Sequence, residues 1–496
     1  MTTFYRTLHE TVANSSRDFY THYGETRSYA EAHRDMRKIN AALSPYKKQR
    51  IALYAVKGYN TYCAIFAILM SGNTWVPVNP EIPDARNVDM MRHAEPGLIL
   101  TDRDVPQLIA ELADEIGADV LKLDAVVDGN DGRDFEFKDF DDDDTGIIFF
   151  TSGSTGTPKG VPLTHGNFIN TVHNVMNALP LEKGEVFGDY HDLGFVLCIP
   201  YLFCCVLTES AFAPATESMD RASPIRHLKE NMVTVLVTVP STIARLKRLR
   251  GKGIGETSIR ILCLAGEPLH LDILDYCFNK MQVENVYDFY GSTEVGCWIF
   301  HHPCRPDDLT RYEDVGVVPI GRPLEGNQMR LTEEGELMIA GPQVTPGYLG
   351  GIEVEKFIDI EGVRWFCTGD RVIERDGIYL CKGRIDSQIK IDGYRIELMD
   401  TEAHLRSIEG VDQAICFVSE ISGRKAIVAG LIGEQSYKAT EIRDQLKSRL
   451  PPYMIPRSVF HVTDVPLNKS GKIDRLAVRT MYEAAREQTG DKAIKS

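Results

Sequence analysis

A chain of 496 residues is too long for one ordinary hydrophobic core, so two or more domains are expected. With 43% hydrophobic and 25% charged residues, its composition excludes a disordered or fibrous chain. The formal net charge of −16 argues against general nucleic-acid binding, and any bound anion must be met by local positive charge, backbone N–H groups or a metal ion.

Met1 to Glu25 is polar and mixed in charge, without the basic start and apolar run of a secretory signal. Strand-like and helix-like runs then alternate. Ile51 to Val56 reads as a strand, Tyr59 to Ser71 as a helix, and Gly97 to Thr101 and Gly146 to Thr151 as strands. Val233 to Val239 and Ile259 to Ala265 continue the pattern, which predicts α/β layers with a substantial parallel component. Five aspartates between Asp139 and Asp144 read as a solvated acidic turn. The longest apolar stretch, Phe195 to Leu207, is interrupted by Pro200 and is too short to span a bilayer, so it reads as core and no membrane partner is expected. Character changes near Asp370 to Ile391. Beyond it, a helix at Met399 to Ser407, strands at Gln413 to Val418 and Lys425 to Ile432, and a helix at Ala439 to Leu450 predict a small α+β domain. A helix and a polar tail follow Arg475.

Eleven scattered cysteines without a Cys-x-x-Cys pair read as reduced thiols of a cytoplasmic protein. His301 and His302 are adjacent and would face opposite ways on a strand, so they read as part of a solvated loop rather than a metal pair.

The strongest local signal follows the strand at 146–150. Thr151, Ser152, Gly153, Ser154, Thr155, Gly156, Thr157 and Lys159 combine glycines, hydroxyls and a cation. Glycine permits close backbone approach and positive φ, so N–H groups can turn toward phosphate oxygens. Two residues separate Gly156 from Lys159, so this is not a Walker A loop.

This loop resembles the signature of the adenylate-forming superfamily, which includes acyl-CoA synthetases, luciferases and nonribosomal adenylation domains. Further blocks follow in that family's order: Ala265-Gly266-Glu267-Pro268, Tyr290-Gly291-Ser292-Thr293-Glu294, Pro319 to Pro323, Gly335 to Leu337, Gly347 to Leu349, Thr368 to Asp370, Gly383 to Asp386, and Pro466 to Arg475. Gly72 to Pro80 also resembles an early family segment. The resemblance implies a large N-terminal domain of layered α/β subdomains over 1–385 and a small mobile α+β domain over 386–496, hinged at Asp386.

The resemblance also implies ATP and Mg²⁺. Attack of a carboxylate on the α-phosphorus needs charge neutralised on the phosphates and on leaving pyrophosphate. By resemblance, the loop from Thr151 to Lys159 cradles phosphates, Thr293 contacts the α-phosphate, Glu294 holds Mg²⁺, and Tyr290 stacks on adenine. Asp370 accepts from ribose hydroxyls with Arg384 nearby, Lys472 bridges substrate carboxylate and nucleotide, and Lys390 with Gly393 lines the thiol channel.

The run from Gly383 to Glu397 is most similar to amino-acid adenylation enzymes and D-alanine–carrier ligases. An amino acid's ammonium in an apolar pocket needs a buried acid. The position that matches the family's acid is Asp192, in Tyr190-His191-Asp192-Leu193-Gly194-Phe195. Leu193, Val196, Thr238, Cys263, Ala265, Phe289, Cys297 and Trp298 are the remaining wall, and its two large aromatics favour a small side chain. The same stretch also resembles ligases for fatty acyl chains, in which Asp192 is structural. An aryl acid, a luciferase-like oxidase and a non-catalytic binding protein are further alternatives. Only a short tail follows Arg475, so a carrier acceptor is a separate chain, and coenzyme A is the other candidate thiol.

Overall fold

The computed structural model describes residues 3–129, 141–152, 157–217, 219–220, 223–249, 254–352, 354–385, 388–433, 438–462, 466 and 475–489. The chain folds as two units, one of residues 1–79, 91–150 and 160–386, the other of 80–90, 151–159 and 387–496.

Two sheets dominate the first unit. In the nine-stranded sheet the spatial order is Arg322–Pro323, Phe300–Pro303, Asn285–Tyr290, Ile261–Ala265, Val235–Thr238, Val186–Asp189, Ala211–Pro214, Asp18–His22 and Glu25–Ser28. Its six central strands are mutually parallel, with antiparallel strands at both edges. The six-stranded sheet runs Asp119–Lys122, Leu98–Thr101, Arg50–Tyr54, Thr74–Val78, Thr145–Thr151 and Lys159–Thr164.

The helices Tyr59–Met70 and Cys198–Leu207 are apolar nearly all round, as a helix enclosed by protein must be. Residues of both helices and both sheets share one apolar core. Pro200 lies in the first turn of its helix, where a missing N–H costs little, so the interrupted stretch stays helical. A five-stranded antiparallel sheet follows, with Val363–Arg375 at its centre paired to Ile378–Arg384.

In the second unit, Val411–Ile421, Arg424–Gly433 and Ser458–His461 form a three-stranded sheet, and Leu398–Arg406 and Arg475–Thr489 are its longest helices. Gln388–Ile391 and Tyr394–Glu397 make a separate hairpin. Asp392 and Gly393 both take positive φ, 48° and 83°, as a tight two-residue hairpin turn requires. Arg86 and Asp400 form a buried ion pair within this unit at 3.5 Å.

The α/β class and the small α+β unit agree with the sequence, and Asp141 to Asp143 are exposed in a turn. His301 and His302 require correction. They lie on the strand Phe300–Pro303, not in a solvated loop, and His302 is buried with Nε2 2.9 Å from Asp308. Strand pairing on both sides covers them, a long-range fact with no local signal. All eleven thiols are free. Among the described residues no helix is long and apolar enough to cross a membrane.

Candidate active site

Parallel strands end together, so polar residues just past their carboxyl ends gather along one edge, where open α/β sheets bind ligands. Past Val186–Asp189 come His191 and Asp192; past Val235–Thr238 comes Ser241; past Ile261–Ala265 comes Gly266 to Pro268; past Asn285–Tyr290 comes Gly291 to Glu294. Among the described residues, Thr238 Oγ1, Ser241 Oγ, Ser292 Oγ, His191 Nε2 and Trp298 Nε1 are buried without a hydrogen-bond partner. Buried polar atoms without a partner are few in folded proteins, and these five are among those of this chain, others lying away from this edge.

Register decides which wall residues face together. Val237, Cys263 and Tyr287 are in register, as are Ala265 and Phe289, and these odd-numbered positions share one face. Thr238 is in register with Leu264 and Asp288, so its side chain lies on the opposite face. The structure therefore brings Cys263, Ala265 and Phe289 together and sets Thr238 apart. Phe289 stacks on Trp298, ring centroids 3.9 Å apart and planes within 13°. Leu193, Val196 and Cys297 belong to the same apolar core as that pair.

The loop after Asn285–Tyr290 is tightly fixed. A Cβ on Gly291 would stand 1.6 Å from the Cys297 carbonyl oxygen, so only glycine fits. Cys297 itself holds φ at 105°, a costly conformation for a side-chain-bearing residue beside the proposed wall. Thr293 and Glu294 lie in one turn of 3₁₀ helix, and both are buried. Tyr348 Oη donates to Glu294 Oε1 at 2.8 Å, and Thr345 N–H donates to the Glu294 carbonyl at 2.8 Å. Glu267 Oε2 accepts from Ser241 N–H at 2.9 Å, tying two strand-end loops together.

Tyr290 Oη donates to Asp370 Oδ2 at 2.5 Å. Arg384, in register with Asp370 on the neighbouring strand, donates to Oδ1 at 2.9 Å. Its other nitrogen donates to the Thr368 carbonyl at 3.1 Å. Burial, then the Asp370 carboxylate, push the Tyr290 hydroxyl far above its ordinary pKa. Both carboxylate oxygens keep a lone pair free for further donors such as sugar hydroxyls.

Asp192 Oδ1 accepts from Gly194 N–H at 2.7 Å, and Oδ2 accepts from the Asn79 side-chain amide. Four partners in this region escaped the sequence reading: Asn79, Lys57, Tyr62 and Asp189. Asp189 is fully buried; Tyr62 Oη donates to Oδ2 at 2.6 Å, and Lys57 Nζ lies 3.3 Å from Oδ1. A polar residue ending an apolar strand, as in Val186 to Asp189, was the available signal. Burial pushes the neighbouring His191 imidazole down to about 4, so it is neutral near pH 7.

The second unit contributes its own candidates. Thr151 is half-buried, Thr157 is exposed, and Lys159 is buried. Ser152 Oγ donates to the Arg395 carbonyl at 3.1 Å and accepts from Glu397 N–H at 3.0 Å, joining this segment to the hairpin. Lys390 is half-buried and in register with Arg395 across that hairpin. Gly153, Ser154, Thr155, Gly156, Asp386 and Lys472 lie outside the described residues.

Glu294 offers one hard carboxylate, and among the described residues no three His, Cys, Asp or Glu side chains form a ligand set. A single carboxylate is the kind of protein ligand that Mg²⁺ takes beside phosphate oxygens and water.

Residues 8–349 match the family model described as AMP-binding enzyme, and residues 400–472 match the AMP-binding enzyme C-terminal domain. Zwittermicin A synthase ZmaJ of Bacillus cereus is 30% identical over 436 residues, 83% of this chain and 81% of that protein. A D-alanine–D-alanyl carrier protein ligase of Listeria monocytogenes serotype 4b is 27% identical over 502 residues, 94% of this chain and 97% of its own. The Vibrio cholerae adenylation domain AlmE, solved in complex with glycyl-adenosine-5'-phosphate, shares the fold: TM-score 0.82 at 20% identity, covering 97% of this chain and 98% of that one. With its motifs in order, its strand-end loops assembled along one sheet edge and both family models matched, the chain belongs to the AMP-binding enzyme family and is an adenylate-forming enzyme.

Proposed function

We propose that this enzyme adenylates a small amino acid with ATP and passes the aminoacyl group to the phosphopantetheine thiol of a separate carrier protein. The observation that carries the substrate class is Asp192: a carboxylate fixed at the strand-end edge, preceding Leu193 and Val196, which share an apolar core with the stacked Phe289 and Trp298. An ammonium there gains a charged partner, and the two aromatics limit side-chain length. The likeness to a D-alanine–carrier ligase and to a domain solved with glycyl-adenylate supports the same class and a carrier acceptor.

In this reading Thr293 contacts the α-phosphate, and the Thr151 to Lys159 segment meets the other phosphates. Asp370, held by Arg384 and Tyr290, receives ribose hydroxyls, with the Tyr290 ring against adenine. Glu294 would hold Mg²⁺, which would supply charge neutralisation at the phosphates. The substrate carboxylate attacks the α-phosphorus, pyrophosphate leaves, and Lys472 stabilises the charge on the attacking carboxylate and the nucleotide. Lys390 then lies on the path of the thiol. The domain boundary proposed is at Asp386, with 1–385 as the large domain and 386–496 as the mobile one.

A second reading, a fatty acyl ligase, is favoured by one observation: both Asp192 oxygens already accept from the chain itself. A carboxylate has about four lone-pair sites, so two donors do not by themselves saturate it. ATP–pyrophosphate exchange over amino, fatty and aryl acids separates the readings. Highest exchange with a small amino acid is expected, and preference for a fatty acid hands the site to the second reading.

A further inference from the structure

Asn79 follows the strand Thr74–Val78 of the six-stranded sheet, and Asp192 lies just past Val186–Asp189 of the nine-stranded sheet. The contact between them crosses 113 sequence positions and joins the two sheets at their carboxyl edges. One Asp192 oxygen is held by the Asn79 amide and the other by Gly194 N–H, so the carboxylate cannot turn about its own axis without losing a donor. Three residues upstream, Asp189 is neutralised by Lys57, a charge partner that fixes the start of the same loop. The donor at 79 is neutral and so adds no charge beside Asp192. A carboxylate in its place would set two like charges in contact, and one of them would take up a proton.

We infer that Asn79 is a specificity-determining positioning residue, whose amide orients the Asp192 carboxylate to receive a single ammonium group. The inference rests on the reading that Asp192 meets the amine of the substrate. Asn79 acts on amine selectivity through its hydrogen bond to Asp192.

The test is ATP–pyrophosphate exchange by the full chain with alanine and with propionate, its amine-free counterpart; glycine and acetate replace them if glycine is preferred. In Asn79→Leu, which keeps the size and removes the donor, KM for the amino acid should rise about tenfold or more. Its kcat, the KM for ATP and the propionate rate should stay within about twofold. The alanine-to-propionate ratio therefore falls about tenfold. Asn79→Asp should change the pH dependence of amino-acid use relative to the wild type, as the pair shares a proton. Asn79→Ser, read by the same ratio, keeps the test open if the leucine variant fails to fold.

Equal losses with alanine and propionate would mean that Asn79 serves the fold alone, and would overturn the inference. Asp192→Asn separates this from failure of the underlying reading. If that variant collapses the ratio while Asn79→Leu does not, the ammonium reading stands and the role of Asn79 is lost. If Asp192→Asn leaves the ratio unchanged, the ammonium reading fails, and the inference with it.

Discussion

The carboxyl edge of the nine-stranded sheet and the small second unit both hold buried polar groups, in different proportions of apolar packing and charge pairing. Along the edge, groups sit on strand ends against a large apolar core, and at this edge and elsewhere in the first unit burial keeps histidines neutral. Burial pushes His165, His191 and His227 down to about 4 each. The second unit has a smaller core and leans on charge. Asp400 is fully buried against Arg86, and Asp400 raises the pKa of His404 through hydrogen bonding. Arg475 pairs with Glu402, whose Oε1 also accepts from Cys416 N–H at 2.7 Å. In the proposed function this becomes a division of labour, with strand-end groups serving binding and selectivity and the small unit supplying Lys472.

The largest break in that comparison should come from Lys472→Ala. Adenylation should fall on the order of 10²–10³-fold, while thioester formation from supplied aminoacyl-adenylate persists. Equal loss in both half-reactions would contradict separate roles for the two regions.

Next is the pair of acids within one loop. Asp189→Asn strands Lys57 in a buried site and should cost roughly 3–5 kcal/mol of stability. Asp192→Asn should leave denaturant midpoints much closer to wild type, since the Asn79 amide and the Gly194 N–H that hold it are neutral donors. Urea melts of the two variants decide this, and equal destabilisation would erase the distinction between a structural and a functional acid.

Acidity should separate the two units. Unfolded imidazoles protonate near 6.5, while His165, His191 and His227 resist until about 4. Their stabilisation is therefore complete above pH 6.5 and is lost as pH falls toward about 4. His404 has the opposite sign: its folded pKa is raised, so its contribution is full below 6.5 and is lost as pH rises through the folded value. Hydrogen exchange at about pH 7 and about pH 5 should show protection falling in the first unit more than in the second.

The smallest effect expected is on side-chain length. Trp298→Ala should admit longer amino acids, shifting relative exchange rates by about tenfold for each added methylene.

Much of this was legible in the sequence because strand alternation and strand-end motifs are local. Ile261–Ala265 and Thr145–Thr151 fall within two residues of their expected starts, since apolar runs bounded by turn residues announce themselves. The partners that fix the loop were not legible. Lys57, Tyr62 and Asn79 reach Asp189 or Asp192 across 132, 127 and 113 positions, and no periodicity marks such pairs. Thr238 enters the wall by resemblance; only the register with Leu264 shows that its side chain lies on the face opposite Cys263 and Ala265. His301 and His302 read as loop because two histidines carry no strand signal without their neighbours.

The central claim is that the Asp192 carboxylate selects an amine-bearing acid. Its most direct test compares exchange driven by an amino acid and by its amine-free counterpart, in the wild type and in Asp192→Asn. The variant should lose roughly 3–5 kcal/mol of preference for the amino acid, with the amine-free acid little changed. Undiminished preference for the amino acid in the variant, or a wild type that favours a fatty acid and is indifferent to the substitution, would contradict it.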